Sequence, residues 1–254
     1  MSEQPFEDLR YQKNFLTNVI LRLDFPSRPE TIDSSADNFR QEVKEEFPIF
    51  EQKPLYEYVA KLEKGVKTDT YTEYKHYQVS DKNKEKKISL SHNFVVLEFL
   101  KYKDLDDFYR HSELLVSTIN KLYPELDFTR IGLRYINQIV LEKGNPFNWK
   151  EYIDSSLTYA VDNFFNRNPN LSRAMSQIIL NCDDYKLNFN YGIVNSEFPA
   201  RIARKEYVLD YDCFSEFVEK EKILPAIKIF NSEIKKMFER SIKPGLRKIM
   251  GVIE

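Results

Sequence analysis

Two arginines and two carboxylates stand out among the 254 residues, because each interrupts an apolar, strand-like run at a matched spacing. The arginines lie in Val19-Ile20-Leu21-Arg22-Leu23 and Ile131-Gly132-Leu133-Arg134-Tyr135. The carboxylates lie in Val95-Val96-Leu97-Glu98-Phe99 and Tyr207-Val208-Leu209-Asp210-Tyr211. Arg22 and Arg134 are 112 positions apart (134 − 22), and so are Glu98 and Asp210 (210 − 98). Strand side chains alternate between faces, so all four charges fall opposite the neighbours that would enter a core. Two chemistries fit. One is a pair of cross-strand ion pairs, Arg22 with Glu98 and Arg134 with Asp210, each contributing tenths of a kcal/mol up to about 1 kcal/mol when exposed. The other is a polar sheet face whose guanidiniums grip a carboxylate or phosphate in bidentate fashion.

Arg130 lies on the polar side of its strand, and the position at the same offset is Asn18. It therefore breaks the matched pattern and is the better ligand candidate. Gly132 in mid-strand, where the offset position is Ile20, predicts a bulge or a tight contact with a neighbouring helix. Tyr74 and His76 belong to the aromatic run Tyr71-Thr72-Glu73-Tyr74-Lys75-His76-Tyr77. His76 has the chemistry of a general base, but no Ser or Cys accompanies it in a recognisable motif. His92 and His111 read as surface or satisfied histidines. The ligand-binding set is thus Arg22, Arg130, Arg134, Tyr74 and His76, with no catalytic residue. Asp210 and Asp212, with Asp183-Asp184, form only a weak metal pattern that strand-end acids explain equally well. No metal and no cofactor are expected.

Nucleic acid is the other ligand class to weigh. Tyr71, Tyr74, Tyr77, Lys75 and the basic turn 82–87 could stack bases and meet phosphates. Lys235, Lys236, Arg240, Lys243, Arg247 and Lys248 crowd the C-terminal segment, but Glu233 and Glu239 interleave with them. With 38 basic and 40 acidic residues the formal net charge is −2, so no global field draws the chain to a polyanion. No P-loop, Rossmann glycine pattern, nucleophile elbow or His-Glu-x-x-His is present.

These side chains need a folded frame, and the composition supplies one. Hydrophobic residues make up 42% and aromatic residues 14% of the chain, as in a packed globular protein rather than a disordered one. Met1 to Arg10 is polar and acidic, without the apolar run of a secretory signal, and no stretch is long and apolar enough to span a membrane. A cytoplasmic protein with no membrane partner is expected. In that setting Cys182 and Cys213 read as two buried thiols rather than a disulfide.

Periodicity orders the elements. Val19, Leu21, Leu23 and Phe25 alternate in a strand over 15–25, stopped by Pro26 and Pro29. Ile32, Ala36, Phe39, Val43 and Phe47 recur at helical spacing between Ser34-Ser35 and Pro48. Strands follow at 49–62, 70–79 and, after the charged turn Asp81–Lys87, one long strand at 88–102. Leu105 to Leu122 reads as an amphipathic helix capped by Asp104. The second half predicts a strand at 129–141, a helix at 148–165 carrying Trp149 and Ile153, and strands at 173–182, 185–194 and 202–212. A final helix at 222–242 has Pro225 in its first turn and is closed by Pro244-Gly245. The fold class is therefore α+β. Residues 1–126 and 127–254 read as pseudo-duplicated β-α-β(3–4)-α halves of one continuous domain. They would form a single antiparallel sheet with the long helices on one face, as in TATA-binding-protein-like and helix-grip architectures.

The strand Arg130-Ile131-Gly132-Leu133-Arg134-Tyr135-Ile136-Asn137, the proline-flanked first strand and the Ile- and Phe-rich C-terminal helix ending near Gly251 carry a resemblance. Together they resemble a sporadically distributed prokaryotic protein family, computationally defined and without an assigned activity. The resemblance implies membership of a mobile or defence-type locus and supplies no catalytic residues. The functional expectation is a non-enzymatic binding or adaptor protein that holds a protein partner on its sheet face or in the groove between halves. The alternative is a nucleotide or nucleic-acid binder, including a metal-dependent nuclease.

Overall fold

The strand alternation around Arg22 materialises as β2, Leu16–Asp24, whose residues Val19, Leu21 and Leu23 are fully buried while Arg22 and Asp24 face out. A computed structural model of the chain describes residues 10–63 and 66–253; Met1–Leu9, on which the reading of a missing signal rests, lie outside the described residues. In chain order the elements are β1 (Arg10–Tyr11), β2, α1 (Pro29–Val43), β3 (Ile49–Glu63), β4 (Val66–Ser80), β5 (Lys86–Ser91), β6 (Phe94–Phe99) and α2 (Leu105–Leu122). Then come β7 (Phe128–Leu141), α3 (Ser155–Tyr159), a π-helical turn (Ala160–Phe164), β8 (Ala174–Asn181), β9 (Lys186–Ile193), β10 (Lys205–Val218), α4 (Ile223–Ser241), α5 (Pro244–Met250) and β11 (Val252–Ile253). The class is α+β. Among the described residues there are five α-helices and one large antiparallel sheet of nine strands, ordered β3-β4-β5-β6-β2-β7-β10-β9-β8, with β1 and β11 paired separately. Among the same residues no helix is long and apolar enough to cross a membrane.

The chain divides into two compact units, and β2 and β7 each contribute to both. The first comprises Ile20–Gly132 with Glu216–Leu224. Its helices α1 and α2 cover the sheet face carrying Tyr77, Val79, Ile88, Leu90, Leu97 and Phe99. Tyr77 donates to Asp33 of α1 at 2.8 Å, and Phe99 meets Phe108 of α2 edge-on at 5.0 Å. Helix α2 starts as its sequence dictates: the Asp104 carboxylate accepts from the Asp107 amide at 2.9 Å, satisfying a backbone donor that the first turn leaves open. Helix α1 starts earlier than the Ser34-Ser35 pair suggests, because Pro29 occupies its first turn, where a missing N–H is no loss.

The second unit comprises residues up to Val19, Leu133–Ser215 and those from Pro225 onward. Helix α4 covers the face bearing Tyr135 and Tyr211, which donate to Asn231 and Ser241 at 2.8 Å each. Phe189 and Tyr211 stack at 4.5 Å beneath it. Gly192 has φ +138°, a conformation other residues resist, and any side chain there would meet the Ala174 carbonyl of β8.

Two expected elements differ, and one helix is added. The single strand over 88–102 is a hairpin: β5 and β6 turn at His92-Asn93, a pair without the glycine that marks most two-residue turns. The helix over 148–165 starts seven residues late and continues as a π-helical turn, so that it spans 155–164. Asp154 caps α3 by accepting from the Ser156 amide at 2.9 Å, so the helix begins at Ser155, and Trp149 and Ile153 precede it as buried turn residues. The helix expected at 222–242 forms as α4, and a further helix that was not expected, α5, follows it because Pro244 occupies its first turn. Both cysteines are free thiols; Cys213 is buried, Cys182 half-buried.

Candidate binding site

In the first unit, four of the five sequence candidates gather on the sheet face turned away from α1 and α2. Arg22 of β2 holds Asp24, two residues along the same strand, through Nε at 2.8 Å and Nη2 at 2.6 Å. Arg130 of β7 reaches the other oxygen of Asp24 at 3.6 Å. The Arg22 guanidinium also lies over the Phe94 ring of β6, 4.6 Å from its centre. His76 of β4 sits 6.0 Å from the same ring, and Tyr74 follows two residues along that face. Between them on β5 lies Ser91, opposite Phe94 in the register, fully buried and small enough to let His76 and Phe94 approach.

The expected Arg22–Glu98 pair is not what forms. Glu98 lies directly across from Lys87 in the β5–β6 register and binds it at 2.7 Å, while Asp24 is the nearer acid for Arg22. Gly132 also differs from expectation. A Cβ added there would fall 2.6 Å from Nη1 of Arg130, so the glycine accommodates the Arg130 side chain lying across its own strand, not a helix. In the second unit Arg134 does pair with Asp210, bidentate through Nε at 2.8 Å and Nη2 at 2.7 Å. Asp210 is almost fully buried, whereas 43% of the Arg134 side chain is exposed, the same fraction as for Arg22. Each arginine thus spends its Nε and Nη2 on an aspartate of the protein. A guanidinium fixed in this way loses little freedom when its remaining edge binds a further acceptor.

His76 brings a different property. Its Nδ1 is buried without a hydrogen-bond partner. Burial holds its imidazole below the ordinary value near 6.5, and Lys53 and Lys87 push in the same direction, so the ring is neutral at pH 7. Tyr74 stacks flat on His92 at 3.5 Å, and His92 is tied to Glu57 at 3.1 Å. His111, almost fully buried, is structural. Its Nδ1 donates to the Asp107 carbonyl at 2.7 Å, and its Nε2 accepts from Arg110 at 3.2 Å, an arrangement that requires the neutral ring. Burial lowers the pKa of His92 and His111 also, against the opposing pull of Glu57 and of Asp107.

All three histidines therefore resist protonation in the folded chain, while in the unfolded chain they take a proton below about pH 6.5. Their contribution to stability is complete above that value and is lost as the pH falls through the folded pKa values. The urea midpoint should accordingly drop between about pH 7 and about pH 5, before the carboxylates begin to protonate, and drop less in His111→Gln. A midpoint flat across that range would refute the assignment of neutral buried rings.

No family model matches this chain, and neither does any curated protein. Its chemistry is therefore read from geometry. Among the described residues no three His, Cys, Asp or Glu side chains gather closely enough to hold a metal ion. A concavity that the sequence did not reveal lies in the second unit, where Trp149, Leu157, Val161, Phe165, Tyr191 and Tyr207 line an apolar pocket of about 240 Å³. Its residues come from three strands, α3, the π-helical turn and the loops beside them, so no local motif announces it.

Proposed function

We propose that the chain is a non-enzymatic binding protein that holds a protein partner on the sheet face bearing Arg22, Phe94, His76 and Tyr74. The observation that supports this most is Arg22 itself: half-exposed, locked by Asp24 and stacked on an aromatic ring. That combination suits a carboxylate side chain flanked by an apolar one, the mixed chemistry of a protein surface. The cations of that face favour protein over nucleic acid, because Lys87 is matched by Glu98 and Lys53 by Glu51 instead of forming a basic stripe. The resemblance to a sporadic prokaryotic family extends the proposal to an accessory role in a mobile or defence-type locus. The 112-residue offset extends it to an internally duplicated, TATA-binding-protein-like sheet, in which Arg22 and Arg134 play equivalent parts.

Affinity capture from the native host with the intact chain and with Arg22→Ala tests the reading. A specific protein should be captured, and the substitution should weaken its binding by about tenfold, the loss of one charge-assisted hydrogen bond and its packing. Captured RNA or DNA released steeply by salt would replace this proposal with the nucleic-acid reading. Turnover of a substrate abolished by the same substitution would replace it with an enzyme.

A further inference from the structure

The two ends of the strand order are protected very differently. At one end β3 carries Glu51, Lys53, Pro54 and Glu57, the charges and proline by which edge strands discourage pairing. At the other end β8 reads Ala174-Met175-Ser176-Gln177-Ile178-Ile179-Leu180-Asn181, with no charge and no proline. It ends the order, so among the described residues no strand pairs with its outer edge. Its apolar side chains are open on both faces: Met175 and Ile178 are 41% exposed, Ile179 61% and Leu180 39%. The β8–β9 register sets Ile178 opposite Phe189 and Leu180 opposite Leu187, both buried, so one face of β8 prolongs the core to the rim.

Charge at the two ends of β8 selects the occupant. Arg173 precedes the strand and Asp183 follows it, both exposed and both five residues from Ile178. An antiparallel copy of the same strand, related by a two-fold axis through Ile178, would set Arg173 opposite the partner's Asp183 at both ends. It would also place Ile178 against its own copy, with Leu180 beside it. We propose that the chain forms a homodimer by antiparallel pairing of β8 with β8 in this register, extending the sheet across the interface.

Sedimentation of the intact chain over a range of concentrations should show a monomer–dimer equilibrium. Arg173→Asp and Asp183→Arg each place like charges together at both ends, and each should raise the dissociation constant about tenfold or more. An equimolar mixture of the two variants restores opposite charges at both ends and should recover dimer as a heterodimer. Ile178→Cys in a Cys182→Ser background should cross-link to itself under mild oxidation. All four positions are at least partly exposed, and unchanged circular dichroism would show that the variants fold. A chain monomeric at every concentration, or dimers indifferent to both charge reversals, would overturn the proposal. So would single variants that weaken association without recovery in the mixture.

Discussion

Glu239→Ala will lower the unfolding free energy by about 3–5 kcal/mol, because it strands a charge that the fold has already removed from water. The Glu239 side chain in α4 is fully buried. One carboxylate oxygen accepts from the Tyr11 hydroxyl at 2.6 Å and the other from Nε of Arg247 at 2.9 Å. Arg247 also donates to the Glu239 carbonyl at 2.6 Å. Burial, with the Glu239 carboxylate close behind, drives the Tyr11 hydroxyl well above its ordinary pKa, so it remains a donor at neutral pH. Removing the acid leaves Arg247, three-quarters buried, without its carboxylate, and frees the strand that Tyr11 anchors against Val252. Replacing both ends of the pair, with Glu239→Met and Arg247→Met, should cost clearly less than Glu239→Ala alone, since no uncompensated charge remains. Urea unfolding followed by circular dichroism gives the comparison. The N-terminal strand should also become cleavable by protease in Glu239→Ala before the rest of the chain. A single variant no worse than the double would show that the buried charge needs no partner.

That cluster also shows which parts of the molecule its sequence declares. The apolar alternation of Leu21, Leu23 and Phe25, the helical recurrence of Ile32, Ala36 and Phe39, and the Asp104 cap are local patterns, and each produced the element it implies. Arg134 with Asp210 also followed, since both sit on regular strands whose outward faces can be counted residue by residue. Arg22 did not, although Asp24 two positions along the same face was a visible local signal. The partner of Glu98 was hidden for a different reason. Its neighbour Lys87 is set by the β5–β6 register, and that register exists only because the chain reverses at His92-Asn93. A turn made without glycine conceals itself, and with it conceals every pairing it creates. The pair Glu239–Tyr11 illustrates the limit further: Tyr11 is 228 residues distant in sequence, beyond the reach of any local rule. The same applies to the site, where the residue types were legible but their grouping around Phe94 and Asp24 depended on four strands meeting.

The second large effect is expected at Trp149, and it bears on the pocket of the second unit. Trp149 is 1% exposed, packs against Tyr207 at 5.2 Å and Tyr152 at 6.2 Å, and donates its indole N–H to the Pro146 carbonyl at 2.8 Å. The Lys205 ammonium lies over both Trp149 and Tyr152, 5.3 and 4.7 Å from the ring centres, and burial lowers its pKa. Trp149→Ala should therefore cost about 3–5 kcal/mol, through lost contact area and a cavity the surrounding strands cannot close. Trp149→Phe keeps most of the ring but loses the indole donor, and should cost about 1–2 kcal/mol. The two variants separate packing from hydrogen bonding, since only the first enlarges the apolar pocket that Trp149 lines with Tyr207 and Val161. An apolar fluorescent probe should report that enlargement as increased binding to folded Trp149→Ala under conditions where Trp149→Phe binds no more than the original chain. Equal destabilisation by the two would mean that the turn at Asn145-Pro146, not the ring, holds this unit together; the deep burial of the ring argues for the opposite order.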